Sequence, residues 1–206
     1  TFSSDMAGRY HGADKSSTSA IIAHIERNLL SEFIKSVRDR QIWGNAGMTQ
    51  AAMTIAAIAL DDDTQTPAAL DWLFEPNNPK PAPPLWDQSP VGGAVPYIMT
   101  EQLGREGLSD EAAFGYASIP ARQFVGVADL LRQYPRYDKH DLYRDYPKFR
   151  NAFTLSSAAR VAGAYIPNWG DSNKCGNSVG STASALSLDQ LVSGFIAYES
   201  EAIARE

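Results

Sequence analysis

An all-α fold built from antiparallel helix pairs is what this 206-residue sequence predicts, on three observations. Every strong hydrophobic period is helical, and no run sustains the alternation of a half-buried strand. The stretch from Ile42 to Asp63, IWGNAGMTQAAMTIAAIALDDD, is apolar on every side for about four turns, so as a helix it offers water no face and should be buried. A single hairpin cannot cover such a helix, whereas a ring of helix pairs places it between neighbours. Finally, prolines and small polar residues gather in two long loops, 75–90 and 165–184, leaving the remainder for about seven helices.

In chain order, residues 1–16 are polar and without a period and read as an extended arm, with 17–206 as the helical domain. Ser17 or Ser19 can cap a first helix running to about Arg40, whose stripe Ile22, Ile25, Leu29, Phe33 and Val37 should pack outside the buried helix. The turn Trp43-Gly44-Asn45-Ala46-Gly47 opens the central helix, which ends in Asp61, Asp62 and Asp63. Carboxylates are unfavourable at a helix C-terminus and so ask for a ligand or an arginine partner. Thr66 caps and Pro67 starts a short third helix with Leu70, Leu73 and Phe74. Helical spacing returns through Val95, Ile98, Met99 and Leu103. Ser109, Asp110 and Glu111 look like a helix start, but Gly115 and Pro120 make Glu111 to Ile119 a turn feeding a helix from Pro120 to about Gln133, with Phe124, Val127, Ala128 and Leu131 buried. Pro147 starts another helix, Phe149, Ala152, Phe153 and Leu155 inward, ending near Ala164. Ser187-Leu188-Asp189-Gln190 is a capping box for a last helix carrying Leu191, Val192 and Phe195.

Composition narrows the classes of function. Hydrophobic residues make up 44% and charged residues 20%, the balance of a globular protein. No apolar run is long enough to cross a bilayer, no signal pattern is present, and the first residue is Thr1, so the chain reads as a piece of a longer or processed protein. Cys175 has no partner for an internal disulfide, and His11, His24 and His140 lack the spacing of metal ligands. No phosphate-binding loop, dinucleotide fingerprint or Ser-His-Asp order occurs, so no cofactor is expected. A net charge of −6 disfavours nucleic acid unless cations are concentrated locally. They are: Arg132, Arg136, Lys139, Arg144, Lys148 and Arg150 face only Asp138, Asp141 and Asp145 within 130–150, either a solvated face or the rim of a site for an anionic polymer.

Candidate residues cluster at helix entrances. Asn45, Thr49 and Gln50 sit at the mouth of the central helix, where backbone N–H groups lack partners and side chains can face a cleft. Asn45 reads as an N-cap, as an amide presented to a ligand, or as both. Tyr116 falls on a turn rather than a helix stripe, so it is either a packing residue with a hydrogen-bonded tip or a hydroxyl left free for chemistry. Glu111 is a general acid, a ligand contact, or a first-turn charge favoured by the helix dipole.

Taken together, Ile42-Trp43-Gly44-Asn45-Ala46-Gly47-Met48-Thr49-Gln50, Leu60-Asp61-Asp62, Asp71-Trp72-Leu73, Glu106-Gly107-Leu108 with Glu111 and Gly115-Tyr116, Asp141-Leu142-Tyr143 with Pro147-Lys148-Phe149-Arg150, and Ile166-Pro167-Asn168-Trp169-Gly170-Asp171-Ser172 resemble, in order, the catalytic domain of heparinase II/III-like polysaccharide lyases. The likeness spans residues 20–172. It implies an incomplete α/α toroid, with the β-sandwich domain that follows in the family absent from this chain. It also implies a secreted or periplasmic enzyme cleaving a uronic-acid glycan of the alginate, heparan sulfate or ulvan class by β-elimination. Asn45 matches the amide that binds the uronate carboxylate and acidifies the C5 proton, and Tyr116 matches the residue that removes it and protonates O4. Tyrosine has an ordinary pKa of about 10, so a nearby cation should lower it, and Arg122 is nearest in sequence. Gln50, Glu111, Arg122, Arg136, Lys139 and Arg144 are the expected substrate contacts. The chain departs from the pattern at Ala46 and Thr49, where many members carry histidine, and at Ala117, where asparagine is common. Those departures sustain a second reading, a catalytically silent carbohydrate-binding or scaffold toroid. A hydrolase with a carboxylate pair is a third, needing a gap of about 5–10 Å between its acids.

Overall fold

The structure, a computed structural model, describes residues 16–75, 92–109, 116–159 and 186–205. The expected arm over 1–15, the proline-rich loop, Glu111 and the second long loop lie outside the described residues. Among those described, every regular element is helical. They are α1 (Thr18–Ile25), a π-helical stretch (Glu26–Ser31), α2 (Glu32–Arg38), α3 (Met48–Leu60), α4 (Gln65–Phe74), α5 (Ala94–Tyr97) with a π-helical extension (Ile98–Gln102), a 3-10 turn (Tyr116–Ser118), α6 (Ile119–Arg132), α7 (Leu142–Asp145), a 3-10 segment (Pro147–Phe153), α8 (Leu155–Ala158), α9 (Leu188–Tyr198) and α10 (Glu201–Ala204).

The expected central helix is α3, and its contacts organise the domain. It forms a hairpin with α4 through a tight connection in which Asp61 takes the left-handed conformation (φ 48°). Asp62 Oδ1 accepts from the Thr64 and Gln65 backbone N–H groups at 2.9 and 2.6 Å and thereby caps α4. Buried Thr66 lies inside the first turn instead of at the cap. Its hydroxyl donates to Ala57 O at 2.7 Å and accepts from Asp62 N, locking the two helices together. Against α3 also lies α6, and the two run parallel: Gly47, just before α3, touches Pro120 at the start of α6, while Asp61, just after α3, meets Tyr134 and Arg136 beyond the end of α6. The last long helix continues the arrangement. Gln190 Nε2 donates to Arg122 O at 2.7 Å and Ser193 Oγ to Asp129 Oδ2 at 2.7 Å, so α9 ascends beside α6 in the same sense. Helices α3, α6 and α9 therefore start on one rim.

The core follows the expected stripes for α4 and α6: Leu70, Leu73 and Phe74 from the first, Phe124, Val127, Ala128 and Leu131 from the second, with Met53, Val95 and Met99 between them. Next to it Tyr143, Phe149, Phe153 and Tyr198 form an aromatic group with ring centroids 5.5 to 6.3 Å apart. Position 194 has to be glycine for α9 to reach this group, since a Cβ there would lie 2.2 Å from the Phe153 ring.

Four further expectations change. The first helix does start at Ser17, whose hydroxyl accepts from Ala20 N, but the π-helical stretch rotates the apolar repeat. Ile34 and Val37 are buried, Phe33 is half-buried, and Ile22, Ile25 and Leu29 stay exposed. Nor is α3 covered on all sides. Met48, Ile55 (54% exposed) and Ala59 face outward, with Ala52 half-buried between them, one stripe at helical spacing left open. The helix expected from Pro147 begins there, but as a 3-10 segment, with Phe149, Ala152 and Phe153 inward as anticipated. On α9 the capping box forms, Ser187 Oγ accepting from Gln190 N and Gln190 Oε1 from Ser187 N. Only Leu191 and Gly194 are buried there, leaving Leu188, Val192, Phe195 and Ile196 exposed.

Candidate functional site

Residues 41–44 enter the rim without helical structure, and the chain then turns at Asn45, Ala46 and Gly47. Gly47, rather than Asn45, caps α3. It has φ 89°, its N–H donates to the Gln50 Oε1 at 3.0 Å, and an added Cβ would stand 3.1 Å from Pro120 Cα and 3.3 Å from Gln123 Cβ. Glycine is required twice over, by the positive φ and by the close approach to α6. Because Gly47 takes the cap, the Asn45 side chain is released from that role. Its amide is half-buried and has no hydrogen-bond partner among the described residues, while its carbonyl accepts from Met48 N at 3.0 Å. Gln50, by contrast, is 5% exposed and its carbonyl oxygen is committed to the cap.

Across the Gly47 to Pro120 contact stands Tyr116, the first residue of the 3-10 turn leading into α6. Ala117 and Ser118 are buried, and Ala117 O accepts from Ser109 N at 3.1 Å, which pins the turn to the preceding segment. Tyr116 is 42% exposed, and its hydroxyl has no partner among the described residues. Asn45 is two positions from Gly47 and Tyr116 four from Pro120, so the two turns lead into the contact from either side. Arg122 lies in the first turns of α6 on the same rim, exposed, its guanidinium without an ion pair among the described residues.

The other cations of the expected site are elsewhere and occupied. Arg136 bridges Asp61 at 2.6 Å and Asp63, Lys139 holds both oxygens of Asp71 at 2.7 Å, and Arg144 pairs with Asp145 at 2.7 Å. Arg132 pairs with Asp141 at 3.0 Å and lies over the Tyr143 ring, and Lys148 donates to the Thr100 and Leu103 carbonyls. The arginine partner that the three aspartates asked for is thus Arg136. With α3 13 residues long, this end of the helix is about 20 Å from the Asn45 turn. The Tyr134 hydroxyl donates to Asp61 at 2.6 Å and holds its carboxyl below the usual range, with Arg136 adding to the effect; burial, helped by that bond, pushes Tyr134 up to about 12. Asp62 is lowered by the two N–H groups it caps. The cavity here, about 50 Å³ between Asp62, Asp63, Pro67, Tyr134, Arg136 and Tyr137, is too small for a sugar ring, since ligand pockets run to a few hundred Å³.

No family model, curated protein or solved structure matches this chain. Among the described residues no group of three His, Cys, Asp or Glu side chains is placed to hold a metal ion, and no helix is long and apolar enough to cross a membrane. Sequence reasoning passed over Trp43, which is 73% exposed at the rim beside Asn45. Its place in an entry turn flanked by glycine was the available signal.

Proposed function

We propose that the rim formed by the starts of α3 and α6 is the reactive edge of a heparinase II/III-like polysaccharide lyase, an incomplete α/α toroid acting on a uronic-acid glycan outside the cytoplasm. The observation that carries this reading is the Gly47 to Pro120 contact, which brings the Asn45 and Tyr116 turns side by side with both polar tips unengaged. The parallel course of α3, α6 and α9 supports the toroid, in which inner helices share a sense and outer helices return between them. In the reaction, the Asn45 amide donates to the uronate carboxylate and stabilises the enolate charge that develops when C5 loses its proton. The Tyr116 phenolate takes that proton, the C4–O4 bond breaks as the C4–C5 double bond forms, and the phenol returns the proton to O4, so the phenolate is regenerated. Arg122, exposed in the first turns of α6, is the cation available to meet the polymer.

The pairing of Arg136, Lys139 and Arg144 with aspartates favours the second reading, a carbohydrate-binding toroid without catalysis, because the cations of the expected site are engaged by the protein itself. Ultraviolet absorbance of the new double bond separates the two. The full-length protein should generate it from alginate, heparan sulfate or ulvan, and Tyr116→Phe should abolish it with stability unchanged. Asn45→Ala should cost about 2–4 kcal/mol of transition-state stabilisation, as loss of one oxyanion donor does. Near-normal turnover by Tyr116→Phe removes the lyase assignment.

A further inference from the structure

Trp43 is 73% exposed, although tryptophan is highly buried on average. Ile42 packs against the core, whereas Trp43, the next residue of this non-helical run, stands out in solvent. Gly44 then lies against the first turn of α3, where an added Cβ would stand 3.6 Å from Thr49 Oγ1 and 3.7 Å from Met48 Cβ. Met48, itself exposed, is the nearest apolar side chain beneath that turn and begins the open stripe Met48, Ala52, Ile55 and Ala59 along α3. Among the described residues the indole has no ring stacked on it and no hydrogen bond. A rigid aromatic face therefore stands in water two residues from an unengaged amide, with an open aliphatic stripe beginning at Met48.

A pyranose chain is the ligand chemistry that uses all of these at once. Its rings carry hydroxyls at the edge and C–H groups on the face, and the C–H face is attracted to the negative π face of an indole. Trp43 and Asn45 are two residues apart, at most about 7 Å along the chain, so a ring stacked on the indole is a neighbour of the ring whose carboxylate meets Asn45. We infer that Trp43 is the stacking platform of a second sugar subsite, which takes the apolar face of the pyranose next to the uronate at Asn45 and Tyr116. The inference rests on the glycan reading of the rim, in its lyase or its silent form.

The test is calorimetric titration of the full-length protein with alginate disaccharide and tetrasaccharide, for the parent and for Trp43→Ala and Trp43→Phe. Since Trp43 is exposed, both variants should melt with the parent. Trp43→Ala should weaken tetrasaccharide binding about tenfold or more, the scale on which removal of one stacking aromatic weakens a bound base, while the disaccharide loses less and Trp43→Phe recovers most of the loss. If the protein turns over polymer, the alanine variant should raise KM at nearly constant kcat. Tetrasaccharide binding within twofold of the parent, with Asn45→Ala or Tyr116→Phe still impaired, overturns the platform and leaves the lyase reading standing. A parent protein that binds none of the uronate oligosaccharides overturns both. A change in sedimentation coefficient on Trp43→Ala, without a change in sugar binding, overturns the subsite in favour of a protein contact.

Discussion

Replacing Gly47 by alanine tests whether the rim is held by the approach of α3 to α6. The backbone at Gly47, φ 89° and ψ −31°, lies where a Cβ costs about 1–2 kcal/mol. The new methyl would also stand 3.1 Å from Pro120 Cα and 3.3 Å from Gln123 Cβ, neither of which is the free end of a flexible chain, and overpacking of that kind costs about 1–3 kcal/mol. Together these give a loss of about 2–5 kcal/mol, a large part of the roughly 5–15 kcal/mol that holds a domain folded. Gly126 supplies the control. It is exposed in α6 with nothing within 4 Å of an added Cβ, so Gly126→Ala should stabilise by about 0.5–1 kcal/mol through helix propensity alone. Urea unfolding followed by circular dichroism measures both, with equal m-values ensuring that the comparison is of stability. A Gly47→Ala protein within 0.5 kcal/mol of the parent refutes the close approach, and with it the juxtaposition of Asn45 and Tyr116.

Two further outcomes follow from the packing around Phe74 and Phe153. His140 stacks on Phe74 at 4.3 Å, and burial lowers its pKa below the ordinary 6.5 despite the opposing pull of Asp145 and Asp71. The unfolded chain then binds the proton first, so the folded protein should lose stability as pH falls below about 6.5 toward the folded pKa; His140→Phe should keep the stack and flatten that part of the stability profile, and an unchanged slope in the variant removes His140 as the cause. Gly194→Ala forces a methyl to 2.2 Å from the fully buried Phe153 ring, and thermal unfolding should register a loss of about 1–3 kcal/mol that Phe153→Leu partly relieves in the double variant.

How legible these features were in the sequence depended on how local their causes are. The Ser187 and Gln190 box and the α6 stripe through Leu131 each depend on residues within a few positions of one another, and each formed as read. That Gly47 must be glycine for the approach of Pro120 depends on packing 73 positions away, which no local pattern encodes. Arg136, Lys139 and Arg144 looked like one cationic stretch because the partners of the first two, Asp61, Asp63 and Asp71, lie more than 60 positions earlier in the chain. The open stripe on α3 was misjudged for a related reason: an apolar surface can be recognised from its residues, but whether another helix covers it cannot. Trp43 was passed over because exposure of a tryptophan is a property of the surrounding packing.

The parallel packing of α3 and α6 also sets how the rim is assembled. Tyr134 and Asp61 are 73 positions apart, and Gly47 and Pro120 have the same separation, so the two ends of the helix pair close loops of equal length. The entropy of closure rises only as the logarithm of that length, and whichever end meets first bears nearly all of it. Once one end is joined, two stiff helices carry the other into register and the second contact forms with little further loss of freedom. The aspartate and arginine cluster therefore lowers the cost of bringing Tyr116 to Asn45 at a distance of about 20 Å, with no chain of polar contacts between them. A substitution that loosens Arg136 should be felt at the opposite rim as a larger population of molecules in which the two turns are apart.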